Sequence, residues 1–223
     1  MNKLFRNISV SENKHWSKFP GEELIHHPRK IITHDITIHA PWEIVWPWLV
    51  QIGSGRAGWY SYDRIDNGSV LSATKIIPEL QNIHVGDILP ATPGSKDAFI
   101  VQQVIPGRAI VLVAPIQTAA GEPDTLQRIK GTLRLSWTLA LETLDDGNTR
   151  LISRGRISSD WLTTLKINPT SSSNPIFIER IYALLARLPW QVMQPIAMIG
   201  HSIMESHMLK GIKWRSEMEN QRQ

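Results

Sequence analysis

The sequence contains no cysteine. Disulfides, thiol nucleophiles and thiolate metal sites are excluded at once. No apolar run reaches the roughly 18 residues that a membrane-crossing helix needs. There is no lysine-rich run and no dense basic helix, and the net charge of +4 over 223 residues is mild. No nucleic-acid module signature is present either, so nucleic acid is not an expected partner. The opening MNKLFRNISVSENK lacks a continuous apolar core. That argues against a signal peptide and, with the missing cysteines, for a cytoplasmic protein. Tyrosine and phenylalanine are scarce, at three and four residues, but tryptophan is not, at nine.

Four of those nine tryptophans lie in one run, APWEIVWPWLVQIGSGRAGWYSYDRIDNG, from Ala40 to Gly68. Aromatic rings around a polar minority are what lines a small-molecule pocket. The run also spells G-x-G-x-x-G at Gly53, Gly55 and Gly58. A dinucleotide site needs a strand before those glycines and an amphipathic helix opening at them. Here the order is reversed. Pro41 stands at a helix-start position, and Ile44, Val45, Trp48, Leu49 and Ile52 follow at helical spacing. Gly53 therefore reads as a helix stop, and no nucleotide cofactor is expected.

Elsewhere the chain alternates. Residues 1–29 are polar and irregular and read as a lead-in; residues 30–219 read as a single domain. Lys30 to His39 reads as a strand with Ile32, Ile36 and Ile38 on one face. Short strands are expected over 86–92, 98–105 and 108–114, and residues 115–131 as a loop. Thr132 to Leu144 is the clearest strand, with Leu133, Leu135, Trp137, Leu139 and Leu141 on one face. A hairpin at Asp145-Asp146-Gly147-Asn148 leads to a return strand over 149–158. Two helices close the chain. Pro175 to Leu188 is amphipathic, and a long helix is predicted from Pro195 to about Glu219. Ile196, Ile199, Ile203, Met204, Met208, Leu209 and Ile212 spread round more than half its girth, so most of it should be buried. An antiparallel sheet needs a cover for one face, and only that helix is large enough. The expected architecture is α+β, a curved antiparallel sheet gripping a long C-terminal helix around an internal cavity.

Particular stretches carry a resemblance. FPGEELI lies near Pro20, ITIHAPWEIVWPWLVQIGSGRAGWYSYD spans Ile36 to Asp63, and IPELQNIHVGD spans Ile77 to Asp87. SWTLAL surrounds Trp137, TRLISRGR starts at Thr149, and MLKGIKWRSE starts at Met208. Over about residues 20–219 these resemble the START-like helix-grip superfamily, also called SRPBCC, which includes polyketide-cyclase-like proteins. The likeness is to a bacterial branch of it, and the WPWLVQ-to-YSYD block is its specific part. Trp42 departs from the pattern, since the branch often has an acidic or small residue there. PIFIERIYALLARLPW is also longer and more apolar than the pattern.

The resemblance implies a ligand cavity. Members bind lipids, steroids, hormones or polyketides, and a minority are cyclases or hydroxylating subunits. On this basis Trp46, Trp59 and Trp137 would line the cavity with Met204 and Met208 of the last helix. Gln51, Arg56, Tyr60, Tyr62 and Asp63 would form a polar cluster at its mouth, where Arg56 would clamp a carboxylate or phosphate. The alternative is a structural network in which Arg56 pairs with Asp63 and Gln51 caps a helix end.

Other candidates are weaker. Arg154 and Arg156 share a strand face with Arg150; on a concave face they would meet an acidic ligand, and on a convex one, the reading the alternation favours, they are solvated charges. His34 and His39 face opposite ways on their strand. His201 and Glu205 stand at i,i+4 and would be able to share a ligand, but His207 is rotated off that face and no H-E-x-x-H occurs. No metal is expected. Asp63 and Glu79 are candidate acid–base carboxylates that nothing pairs in sequence, and no G-x-S-x-G is present. The expected function is binding or carriage of a hydrophobic small molecule. The alternatives are a cyclase or dehydratase acting on such a ligand, and a weak peripheral membrane contact through 175–190.

Overall fold

The computed structural model describes residues 18–94, 98–115, 133–158 and 190–222. Six strands form one antiparallel sheet: β1 (Lys30–Ile38), β2 (Ile88–Pro90), β3 (Ala98–Ile105), β4 (Ala109–Pro115), β5 (Leu133–Thr143) and β6 (Thr149–Ile157). Their spatial order is β1-β6-β5-β4-β3-β2. The helices are α1 (Trp42–Val50), the single turn α2 (Asp63–Asp66) and the long α3 (Trp190–Asn220). This is the α+β helix-grip arrangement.

Period-two patterning decides which strand residues face the helices. Leu139 and Leu141 of β5, Leu112 and Ile110 of β4, Leu151 of β6 and Ile38 of β1 are buried in one cluster with Met208, Leu209 and Ile212 of α3. Leu133 leaves the expected face. A register shift between Ala114 and Pro115 sets Leu133 opposite Pro115, and its side chain packs with Ile100 and Val113 in a separate cluster. An extra residue in one strand breaks the alternation, which is what a bulge does.

Helix α1 begins after Pro41 and places Val45, Trp48 and Leu49 in the core at i, i+3, i+4 spacing. Its last turn hands over to the glycine loop. Gly53 and Gly58 pair as an isolated antiparallel bridge, exchanging N–H···O bonds of 3.1 and 3.0 Å. Those amides are spent inside the loop, and a helix precedes the glycines as their context predicts.

The long helix departs from expectation in two ways. It starts at Trp190, so Pro195 lies inside it rather than at its start. At 31 residues and 1.5 Å per residue it is about 46 Å long, more than the sheet and α1 can cover. Among the described side chains the buried ones are Glu205, Met208, Leu209, Ile212 and Ser216 of its C-terminal half, whereas Ile196, Ile199 and Ile203 are exposed. Gly211 lets α3 approach closely, because a Cβ there would stand 2.2 Å from the Tyr60 carbonyl oxygen. The loop predicted over 115–131 begins in β4 at Pro115 and is otherwise outside the described residues, as is the amphipathic helix predicted over 175–188. Among those described, no helix is long and apolar enough to cross a membrane.

The opposite face of the sheet is covered too. Residues 19–25 dock there: the Thr138 hydroxyl donates to the Pro20 carbonyl at 2.9 Å and the Ser136 hydroxyl to that of Gly21 at 3.2 Å. Gly21 has φ +80, and a Cβ would stand 2.8 Å from Val111, so the close approach needs glycine. Arg154 is buried under this segment instead of being solvated. Its guanidinium stacks 4.1 Å from the Phe19 ring and donates to Glu22 at 3.0 Å. Arg156 donates through Nε and Nη2 to the Ile25 carbonyl. The alternation placed these arginines on the outer face correctly, but a short irregular segment far off in sequence is what removes the water.

Candidate functional site

On the inner face one row of side chains crosses three strands. His34 of β1 lies opposite Ser153 of β6, which lies opposite Leu139 of β5. Glu205 comes down onto this row from α3, with 3% of its side chain exposed. The Ser153 hydroxyl donates to Glu205 Oε1 and accepts the Trp137 indole N–H at 2.7 Å. Glu205 Oε2 stands 3.2 Å from His34 Nε2 and 3.6 Å from His201 Nε2. Neither Oε2 nor His34 Nε2 has the alignment of a hydrogen bond. His201 shows half of its side chain to solvent, yet desolvation, with His34 acting the same way, lowers its imidazole to about 4.

The electrostatics follow from burial. Among the described residues no arginine or lysine pairs with Glu205; its charged-type neighbours there are the two imidazoles. Desolvation pushes its carboxyl up from 4.5 to about 7, against the opposing hydrogen bonds from Ser153 and Trp137. Burial also lowers His34, with Asp35 acting the other way. A carboxyl that carries a proton near neutrality can donate as well as accept. Among the described residues no group of three or more side chains is arranged to hold a metal ion.

Aromatic rings border the cluster. Trp59, Phe99 and Trp137 touch mutually, with centroids 5.3 to 5.8 Å apart. The Trp59 indole N–H donates to the Ala91 carbonyl at 3.0 Å. Met208 is buried in the same core, and Met204 is half-buried with its carbonyl accepting the Ser61 hydroxyl at 3.0 Å. Trp46 is half-buried against the core from α1.

The polar residues of the aromatic run are tied to the protein itself. Gln51, fully buried, donates to the Tyr60 hydroxyl at 2.9 Å and the Lys75 carbonyl at 3.2 Å, and accepts from the Ile77 amide at 2.9 Å. The Tyr60 hydroxyl donates to the Trp48 carbonyl at 3.2 Å, and burial raises its pKa. Arg56 donates to the carbonyls of Val50 and Leu80 at 3.0 and 3.2 Å, not to Asp63. Asp63 accepts from the Ser72 amide at 3.0 Å and from its hydroxyl. Tyr62 is 37% exposed and stacks on His207 at 4.2 Å. Glu79 is exposed.

The resemblance puts Trp59 and Trp137 at one site but passes over Glu205, Ser153 and His34 as a unit. The signal was present: His34 shares a strand face with Ile36 and Ile38, and Ser153 sits between Leu151 and Ile157 on the inner face of β6.

No family model matches the chain, and no curated protein matches it. Solved structures do. They include the polyketide-cyclase-like protein Cgl2372 of Corynebacterium glutamicum, at 13% identity over 85% of this chain and 92% of that one, with a TM-score of 0.40. Protein MLL2253 of Mesorhizobium loti aligns at 15% identity over 83% and 96%, with a TM-score of 0.39. A protein of Arthrobacter aurescens aligns at 12% identity over 84% and 86%, with a TM-score of 0.41.

Proposed function

We propose that this protein binds a hydrophobic small molecule between the inner face of the sheet and α3. The observation that carries this reading is Glu205. A carboxyl buried in an apolar interior without a cationic partner is costly. Buried polar atoms left unaligned call for an explanation, and a ligand group is one. Ionisable groups with strongly perturbed pKa values gather at functional sites. The surroundings suit an apolar guest: the Trp59, Phe99 and Trp137 rings adjoin the cluster through Ser153, and Met208 is buried in the same core. Native mass spectrometry of the protein purified from its own host tests the reading. A co-purifying small apolar molecule supports it, and a homogeneous unliganded mass that no lipid or polycyclic compound shifts ends it.

A second reading has its own observation. Glu205 and His34 form a facing carboxyl–imidazole pair, and such a pair can hold and pass a proton. A cyclase or dehydratase acting on the bound molecule would use it so. Turnover of enolisable polycarbonyl compounds, abolished in Glu205→Gln, would favour this reading over simple carriage.

A further inference from the structure

We infer that the outer side of α3, with the loop tip anchored beside it, is a docking surface for an anionic lipid membrane. This surface is separate from the interior, so the inference stands whether or not a guest is bound there.

The helix carries two faces that ask for cover. At 3.6 residues per turn, Val192, Ile196, Ile199, Ile203 and Trp214 fall within about 60° of its circumference. All five are exposed. The buried set, Glu205, Met208, Leu209, Ile212 and Ser216, centres on the opposite side. One side is spent on the grip, and the other leaves four β-branched side chains and an indole in water. Such a contiguous stripe marks an interaction site, which singly scattered apolar residues do not. It runs for about 33 Å along the helix axis. Among the described residues no helix is long and apolar enough to cross a membrane, so α3 would lie in the plane of the interface.

A second apolar projection stands beside the helix. Val70 and Leu71 are 66% and 83% exposed. Their turn is fixed from within. The Ser69 amide donates to the Asp63 carbonyl and the Asn67 side chain to the Val70 carbonyl, both at 2.7 Å. Ser69 has a positive φ without being glycine, a conformation held at a cost. Arg215 of α3 donates to the Ala73 carbonyl at 2.7 Å and ties this segment to the helix. Tyr62 adds an exposed ring, stacked on His207 of α3. Tyrosine and tryptophan suit a boundary that is apolar on one side and wet on the other.

Charge selects the occupant. From Tyr60 to Lys75 and from Val192 to Trp214, the exposed lysines, arginines and acids are Arg64, Lys75 and Lys210. The carboxyls of those stretches are turned inward: Asp66 and Glu205 are buried, and Asp63 accepts from Ser72. Further along α3, Glu217 pairs with Lys213 and Glu219 with Arg222. A second copy laid on the stripe would set like charges against each other. An anionic bilayer meets the cations and, being deformable, takes up both the helix stripe and the loop tip.

The test is flotation of the full chain with vesicles of phosphatidylcholine alone and of phosphatidylcholine and phosphatidylglycerol in equal parts. At low salt the mixed vesicles should bind at least about tenfold more tightly than the neutral ones, and the preference should shrink as salt rises. Ile199→Ser with Ile203→Ser should weaken binding to the mixed vesicles by about tenfold or more, and Leu71→Ser by about threefold or more. These side chains already face water, so thermal melts of the variants should match the wild type. Two variants at separate places keep the test decisive if one misfolds. Ile31→Ser, on β1 at 50% exposure, is the control and should bind as the wild type does. Absence of vesicle binding at low salt, equal affinity for the two compositions, or a loss in Ile31→Ser as large as in the stripe variant overturns the inference. So does a dimer in sedimentation equilibrium without vesicles that the double variant splits, because the stripe would then be an interface between copies. None of these outcomes bears on the small-molecule reading, which the mass measurement above decides.

Discussion

Glu205 and His34 face each other at 3.2 Å between α3 and β1, although the chain places them at opposite ends of the domain. The sheet register brings His34 beside Ser153, and α3 lowers a carboxyl onto both. The interior thus holds a protonatable group where an aliphatic side chain would pack at lower cost.

The pH dependence of stability follows from that carboxyl. Its folded value of about 7 exceeds the ordinary 4.5. Below about 4.5 both states hold the proton and the contribution is complete. As pH rises toward 7 the unfolded chain ionises first, so stability falls, by on the order of 3 kcal/mol in total. Burial of His34 slopes the other way. Urea melts of wild type and Glu205→Gln between pH 4.5 and 8 separate the two, because only the glutamate is removed. The wild type should lose stability relative to the variant across this range. A constant difference would show that Glu205 ionises normally.

Tyr60→Phe should destabilise the protein by about 1–2 kcal/mol. The hydroxyl links Gln51 to the Trp48 carbonyl inside the core, and its loss strands both. Chemical denaturation measures this; a change under about 0.3 kcal/mol would mean that the Gln51 network re-forms without it.

Gly211→Ala should be severe, at about 3 kcal/mol or more, since the new methyl meets backbone rather than a flexible side chain. Gly200→Ala on the same helix has open space around it and serves as the control; it should be neutral or slightly stabilising. Equal melting temperatures for the two variants would contradict the close packing of α3 on the Tyr60 loop.

Glu22→Gln should cost about 1–2 kcal/mol by leaving Arg154 half-compensated beneath Phe19. Glu22 is 30% exposed, so the effect should shrink in high salt. An unchanged melting temperature would place residues 19–25 off the sheet in solution.

Much of this was legible in the chain. The leucine alternation of β5, the helix before Gly53 and the grip of a C-terminal helix follow from patterning alone. What was not legible depended on pairings across long separations. Nothing local shows that residues 19–25 return to cover Arg154, or that Arg56 spends itself on two carbonyls rather than on Asp63. A bulge that turns Leu133 is invisible without its partner strand. Pro195 reads as a start signal because proline favours first turns, yet the helix already runs from Trp190. Glu205 and His201 were visible as an i,i+4 pair, but Ser153 and His34 complete the cluster only through the sheet register.

The central claim, a small apolar guest held against Glu205, is tested most directly by thermal melting of wild type and Glu205→Leu with increasing decanol. Without ligand the leucine variant should melt higher, by roughly 1–3 kcal/mol in stability, because a desolvated carboxyl with no cationic side chain from arginine or lysine among the described residues has become packed hydrocarbon. With ligand the wild type should rise steadily by mass action and the variant should rise much less. A leucine variant that melts lower than wild type, or that gains as much from decanol, would contradict the account.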